Sequence, residues 1–112
     1  MKTRITALLG IEHPIFQAAM SWASSNAALV AAVSNAGGMG VLGAGPLRPE
    51  DFRRVLQEIR DKTEKPFGVN IPLNSSKAEE LLKIAHEARI PVMVASQGGP
   101  KGHLERFRAV GT

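Results

Sequence analysis

No cysteine occurs among the 112 residues, so neither a disulfide framework nor a thiolate metal site is open to this chain. Aromatic residues make up only 4%, too few for successive base-stacking platforms. No uninterrupted apolar stretch approaches the roughly 20 residues that a bilayer span requires. The apolar run 5–9 behind Met1-Lys2-Thr3-Arg4 is too brief for a signal peptide and is soon followed by Glu12 and His13. These absences set the expectation of a cytoplasmic protein with no membrane and no nucleic-acid partner. The charge adds little: 14 Lys plus Arg against 10 Asp plus Glu gives +4, which favours anionic ligands, but the signs are mixed along the chain as on an ordinary solvated surface.

What is present is a repeat. Short apolar runs headed by Pro14, Met39, Pro66 and Pro91 alternate with helical patterns at intervals of roughly 25 to 30 residues, the pattern of strand-helix units in a parallel sheet. The spacing predicts strands at 14–20, 39–42, 66–73 and 91–95, the first of them buried on both faces. It predicts helices at 27–36, from 49 onward, at 77–89 and at 101–109. Ser24-Ser25-Asn26 and Pro49-Glu50-Asp51 supply helix starts, and Gly37-Gly38 supplies a left-handed stop. Four such units are half of an eight-unit barrel, and a closed barrel takes at least about 200 residues. The expectation is therefore one partial barrel domain over 1–112, cut before its C-terminal half.

In parallel strand-helix repeats the loops after the strands converge on the functional face. That rule selects 18–22, 43–46, 70–75 and 96–99. Asn70 is the sharpest residue, an amide at the exit of the apolar strand Phe67-Gly68-Val69-Asn70-Ile71, where it bonds either a ligand or neighbouring backbone. Gly68 leaves room for a planar ligand or for a neighbouring strand. Ser96-Gln97-Gly98-Gly99-Pro100 offers backbone N–H groups as an anion- or amide-reading turn. Met20 and Trp22 could pack on a flat cofactor or serve as ordinary packing. The glycines at 37, 38, 40, 43 and 45 do not open a helix in G-x-G-x-x-G order, which rejects a dinucleotide fingerprint. His13, His86 and His103 are dispersed without metal-ligand spacing, and there is neither a cysteine nucleophile nor a G-x-S-x-G elbow.

The motifs Pro14-Ile15-Phe16-Gln17-Ala18-Ala19-Met20-Ser21-Trp22, Ala36-Gly37-Gly38-Met39-Gly40 and Lys65-Pro66-Phe67-Gly68-Val69-Asn70, with the closing Arg106-Phe107, resemble the N-terminal half of the nitronate monooxygenases, formerly 2-nitropropane dioxygenases. They resemble equally the FMN-dependent enoyl-acyl-carrier-protein reductases. The resemblance runs through essentially the whole chain. It implies an α/β fold, the N-terminal half of an FMN-binding (β/α)8 TIM barrel, and an oxidoreductase using FMN on a small substrate, a nitronate or an enoyl thioester. It implies that Ala18, Ala19 and Met20 pass beside the flavin ring, that Asn70 contacts the cofactor, and that Ser96, Gln97 and Gly98 face the same pocket. Ala18-Ala19 stands where many relatives have glycine or proline, and Pro72 where some carry a hydroxyl. The resemblance places the phosphate loops and the catalytic histidine beyond Thr112, so no catalytic residue is assigned within the chain. Open sheet edges in a half-barrel imply self-association or a partner chain, and a non-enzymatic self-associating half-barrel is the competing reading.

Overall fold

The computed structural model describes residues 1–112. Its first element, helix α1 (Arg4–Leu9), lies in the short apolar run for which the sequence predicts no helix. A reciprocal cap makes it: the Thr3 side chain accepts from Thr6 N–H while Thr6 Oγ1 accepts from Thr3 N–H, and Gly10 ends the helix in the left-handed region at φ 68.

The predicted first strand is reduced to a single parallel bridge between Phe16 and Met39. Ile15 and Phe16 are exposed rather than buried on both faces, because nothing pairs with this segment on its far side. A 3-10 turn (Ser21–Ser24) follows, then helix α2 (Ala27–Asn35), whose start Asn26 caps by accepting from Leu29 N–H at 3.0 Å.

From there the repeat appears as the spacing predicts, with ends shifted by one or two residues. Strand β1 (Gly40–Gly43), helix α3 (Pro49–Lys62), strand β2 (Phe67–Pro72), helix α4 (Ala78–Glu87) and strand β3 (Val92–Ser96) follow in order. A 3-10 turn (Lys101–His103) then leads into helix α5 (Leu104–Arg108). The strands form one parallel sheet in the order β1-β2-β3, with Gly43 beside Asn70 and Asn70 beside Val94.

The alternation of each strand divides the side chains between two faces. Leu42, Phe67, Val69 and Ile71 join Val30, Phe52, Val55, Leu56, Ile59, Leu81 and Leu82 in the main core between the sheet and the helices. Burial of each such side chain contributes roughly 1.5–3 kcal/mol, which is why the apolar stripe of α3 faces inward while its Arg, Glu and Asp residues face water. On the other face Met39 and Val41 meet Ile11 in a smaller cluster, with Leu9, Val92 and Val94 against it. This second face is the inner wall of the curved sheet, and Asn70 stands on its rim. A Cβ at Gly68 would meet Val41 Cγ2 at 3.4 Å, an ordinary contact, so the neighbouring strand alone does not require glycine there. No helix is long and apolar enough to cross a membrane.

Candidate functional site

The four strand-exit segments selected from the sequence converge at one end of the sheet. A cavity of about 390 Å³ opens there, lined by Ala19 and Ser21, by Gly43, Gly45 and Pro46, and by Asn70, Pro72 and Ser75. The fourth segment joins through a side chain: Ser96 Oγ donates to Asn70 Oδ1 at 3.1 Å. That bond fixes which way the Asn70 amide faces. With Oδ1 engaged, Nδ2 remains a donor without a partner in the chain.

Around the cavity the backbone is held by polar side chains. Asn70 O accepts from Ala44 N–H at 3.1 Å, which ties the β1 exit to β2. Lys77 Nζ donates to Gly45 O at 3.0 Å and to Leu47 O at 2.9 Å, so a cation closes the loop that follows β1. Buried Ser24 accepts from Met20 N–H, and the single Ser25 Oγ proton is shared between Ser21 O and, at 2.8 Å, Gly43 O. Ser21 and Gln97, neither of them glycine, adopt left-handed φ of 46 and 56 beside the sheet's exits. Such conformations cost about 1–3 kcal/mol and persist only where the surroundings over-determine them. For Ser21 that restraint is the Ser25 bond.

The sequence-selected residues are distributed unevenly over this geometry. Ala19 and Asn70 line the cavity, and Ser96 is bonded to Asn70. Ala18 is exposed and its carbonyl is held by the Gln17 side chain, while Met20 is half-exposed and anchored through its N–H. Gln97 and Gly98 lie exposed outside the cavity lining, with Gly98 against Leu73. Trp22 is 72% exposed and does not line the cavity. His103 instead lines a separate groove of about 520 Å³ along β3 and α5, with Leu8, Pro91, Met93 and Phe107.

Sequence reasoning passed over Gln17, Ser24, Ser25 and Lys77, which hold the site's backbone. For Gln17 a signal existed, since it is a polar amide inside an apolar run, as Asn70 is.

The lining residues are neutral. No Lys or Arg lines the cavity, and no group of His, Asp or Glu is placed to hold a metal ion. Its volume falls within the roughly 300–1,000 Å³ of small-molecule and cofactor sites. A neutral set of one free amide donor, two hydroxyls and closely approaching glycine backbone suits the edge of a planar polar ring. It does not suit a phosphate, which calls for cations or a helix N-terminus.

Comparisons with known proteins give the relatives of this chain. The family model described as nitronate monooxygenase matches residues 2–101. A protein of Paraburkholderia phytofirmans named nitronate monooxygenase is 47% identical over 62% of this chain and 19% of its own length. A Rhodococcus jostii protein, named (3aS,4S,5R,7aS)-5-hydroxy-7a-methyl-1-oxo-octahydro-1H-indene-4-carboxyl-CoA dehydrogenase, is 34% identical over 99% of this chain and 31% of its own. Among solved structures, FabK from Thermotoga maritima superposes with a TM-score of 0.94 and 44% identity, over 100% of this chain and 36% of that one. The chain thus spans about a third or less of the length of these relatives. Its α/β units are those of the N-terminal portion of a TIM-barrel enzyme.

Proposed function

This chain belongs to the nitronate monooxygenase family, and from that premise we propose that it builds the flavin-facing N-terminal part of an FMN-dependent oxidoreductase that oxidises alkyl nitronates with oxygen. The observation that carries the reading is the Asn70 amide, oriented by Ser96 with its donor unengaged, at the rim of a neutral cavity.

When bound, FMN supplies the electron transfer between substrate and oxygen. The chain's own residues would hold and orient it. Asn70 Nδ2 would donate to an acceptor on the polar edge of the ring, and its pre-set orientation spares the reorganisation that a free amide would need. The backbone of Ala18, Ala19 and Met20 would form one wall, and the Ser96-Gln97-Gly98 loop would border the opposite side. Pro72, lacking an N–H and a hydroxyl, shapes the cavity by contact alone. Val41 and Val92, which flank Gly68 one layer below Asn70 on the inner wall, would keep water from beneath the ring. With a neutral lining, the cofactor's phosphate would be held by residues outside this cavity.

The half-exposed strand β3 and the exposed Ile15 and Phe16 give the sheet two flanks. Further strands of a barrel, from a second copy or a partner chain, would cover them. The carboxyl-CoA dehydrogenase relative favours a second reading, in which the substrate is an acyl thioester, as in the enoyl-acyl-carrier-protein reductases, and the same wall serves.

Titration of the purified chain with FMN, followed by flavin fluorescence and native mass, tests the proposal. Saturable binding that falls about tenfold in Asn70→Ala, equivalent to one lost hydrogen bond of about 1.4 kcal/mol, is expected. An Asn70→Ala titration identical to the parent's would remove Asn70 from the site, and no binding by the parent would remove FMN from the chain.

A further inference from the structure

The edge of β1 is paired only briefly by main chain. Met39 N–H donates to Ile15 O at 2.9 Å and Gln17 N–H donates to Met39 O at 3.0 Å. In a regular parallel ladder the next two bonds would run from Val41 N–H to the carbonyl of residue 17, and from the N–H of residue 19 to Val41 O. A single side chain makes both instead. Gln17 Oε1 accepts from Val41 N–H at 3.2 Å, and Gln17 Nε2 donates to Val41 O at 3.1 Å.

A primary amide carries the same planar donor and acceptor as a peptide group, so it completes the edge of β1 while the main chain is released from it. The released segment is the turn 18–21. Gln17 Nε2 also donates to Ala18 O, so one amide grips both the strand and the start of the turn. Ser24 grips the far end through Met20 N–H, and Ser25 bonds Ser21 O to Gly43 O. The turn therefore leaves the sheet without abandoning the hydrogen bonds of Val41, and it is held at both ends before any ligand arrives.

We propose that Gln17 is the positioning residue of the flavin wall: by standing in for the missing strand backbone it sets where Ala18 and Ala19 lie over the cavity, and so the seat of the ring. This inference rests on the FMN reading above. Gln17 itself lies outside the cavity lining and acts through the turn. Few residues can replace it. Asn is one methylene too short, Leu offers neither group, and Glu keeps the length but loses the donor and sets a carboxylate against Val41 O.

The test uses the full chain as the parent, Gln17→Leu and the near-isosteric Gln17→Glu, the latter keeping the comparison readable should the Leu variant fail to fold. Amide hydrogen exchange without ligand should rise by about tenfold or more at Met20 in both variants and at Val41 in Gln17→Leu, the effect of losing one or two net hydrogen bonds, while the carboxylate of Gln17→Glu still accepts from Val41 N–H. Exchange at Leu42, Val69 and Ile71 should hold, showing an intact sheet. With FMN, affinity should fall about tenfold and the visible absorption maximum should move, because the ring seats differently. Unchanged exchange at Met20 in both variants, or a flavin spectrum and affinity equal across the three proteins, overturns the role of Gln17. Faster exchange in the variants, alongside a parent that takes up no FMN, overturns the flavin reading instead.

Discussion

Ser96 Oγ lies 3.1 Å from Asn70 Oδ1 and donates to it across the junction of two adjacent parallel strands. Ser96 is paired in register with Pro72, two residues beyond Asn70, so the hydroxyl reaches diagonally back along the rim. The consequence is directional: the oxygen is engaged, and the nitrogen is the free group of the amide. Ser96→Ala removes this restraint without touching the proposed donor. FMN affinity should fall by about three- to tenfold, the range for loss of a neutral hydrogen bond of roughly 0.7–1.4 kcal/mol. Asn70→Asp, which replaces the donor with a carboxylate, should weaken binding further. Isothermal titration of the three proteins orders them, and a Ser96→Ala affinity equal to the parent's would show that the orientation is set by something else.

Gly40 meets the backbone of α2 at a distance that admits no side chain. A Cβ built there would lie 2.1 Å from Val30 O, far inside any contact real atoms make. Backbone cannot swing aside as a flexible side chain can, so Gly40→Ala must push α2 off the sheet. We expect destabilisation of about 3 kcal/mol or more, at or beyond the upper end of ordinary overpacking costs. Gly102→Ala is the control: nothing lies within 4 Å of its Cβ position, and its stability should stay within about 0.5 kcal/mol of the parent. Urea unfolding midpoints for both variants decide the matter.

The sheet and its helices were legible because each unit carries its own punctuation. Pro66 and Pro91 stand just before strands, Pro49 opens α3, and the stripe Phe52, Val55, Leu56 and Ile59 has helical spacing. The convergence of the strand exits followed from parallel topology alone, and so did Asn70 as a rim residue. Two features were hidden. Helix α1 is six residues long, and its signal is a pair of threonines three apart with Gly10 behind, weaker than any apolar stripe. The first strand was overread because its apolar residues suggest burial, whereas Ile15 is 63% exposed in the absence of a neighbour on that flank. Pattern reading is also blind to a side chain doing the work of backbone, which is why Gln17 passed unnoticed. In the same way, the spacing of glycines at 43 and 45 said nothing of the lysine, 32 residues beyond Gly45, that ties their loop.

Lys77 is that lysine, and its two carbonyl bonds join the start of α4 to the loop after β1. Hydrogen bonds from a charged donor contribute roughly 1.5–3 kcal/mol each in favourable settings, less when half-exposed to water. Lys77→Met keeps the stem and deletes the ammonium. The expected result is a loss of about 1–2 kcal/mol in global stability, together with faster amide exchange at Leu47 and Gly45, the loop being the part released. Exchange that stays slow across that loop would mean its own turn bond, Leu47 N–H to Ala44 O, is sufficient.

At the opposite end of that loop, Asp51 in the first turn of α3 is flanked by Arg48 and Arg54, with bonds of 2.9 Å and 3.4 Å. The hydrogen bond from Arg48 is the main reason its carboxyl titrates below the usual aspartate value; Arg48's charge and the Arg54 contact add to it against partial desolvation, and the Arg48 guanidinium is raised in turn, while that of Arg54 is raised first by Glu58 and then by Asp51. The sign follows from linkage: a group whose pKa is lower folded than unfolded contributes stability above its unfolded value, and that contribution is lost as pH falls through the folded value. The helix N-terminus acts in the same direction, since a carboxylate in the first turn complements the dipole and a protonated one does not. Asp51→Asn should therefore lower stability slightly at neutral pH, leave it close to the parent at strongly acidic pH, and flatten the acid limb between. Because the pair is exposed, added salt should shrink the difference at neutral pH. Thermal melts from pH 2 to 7 at low and high salt provide the check, and a difference between the two proteins that stays constant across the acid range would mean the Asp51 contacts do not operate in solution.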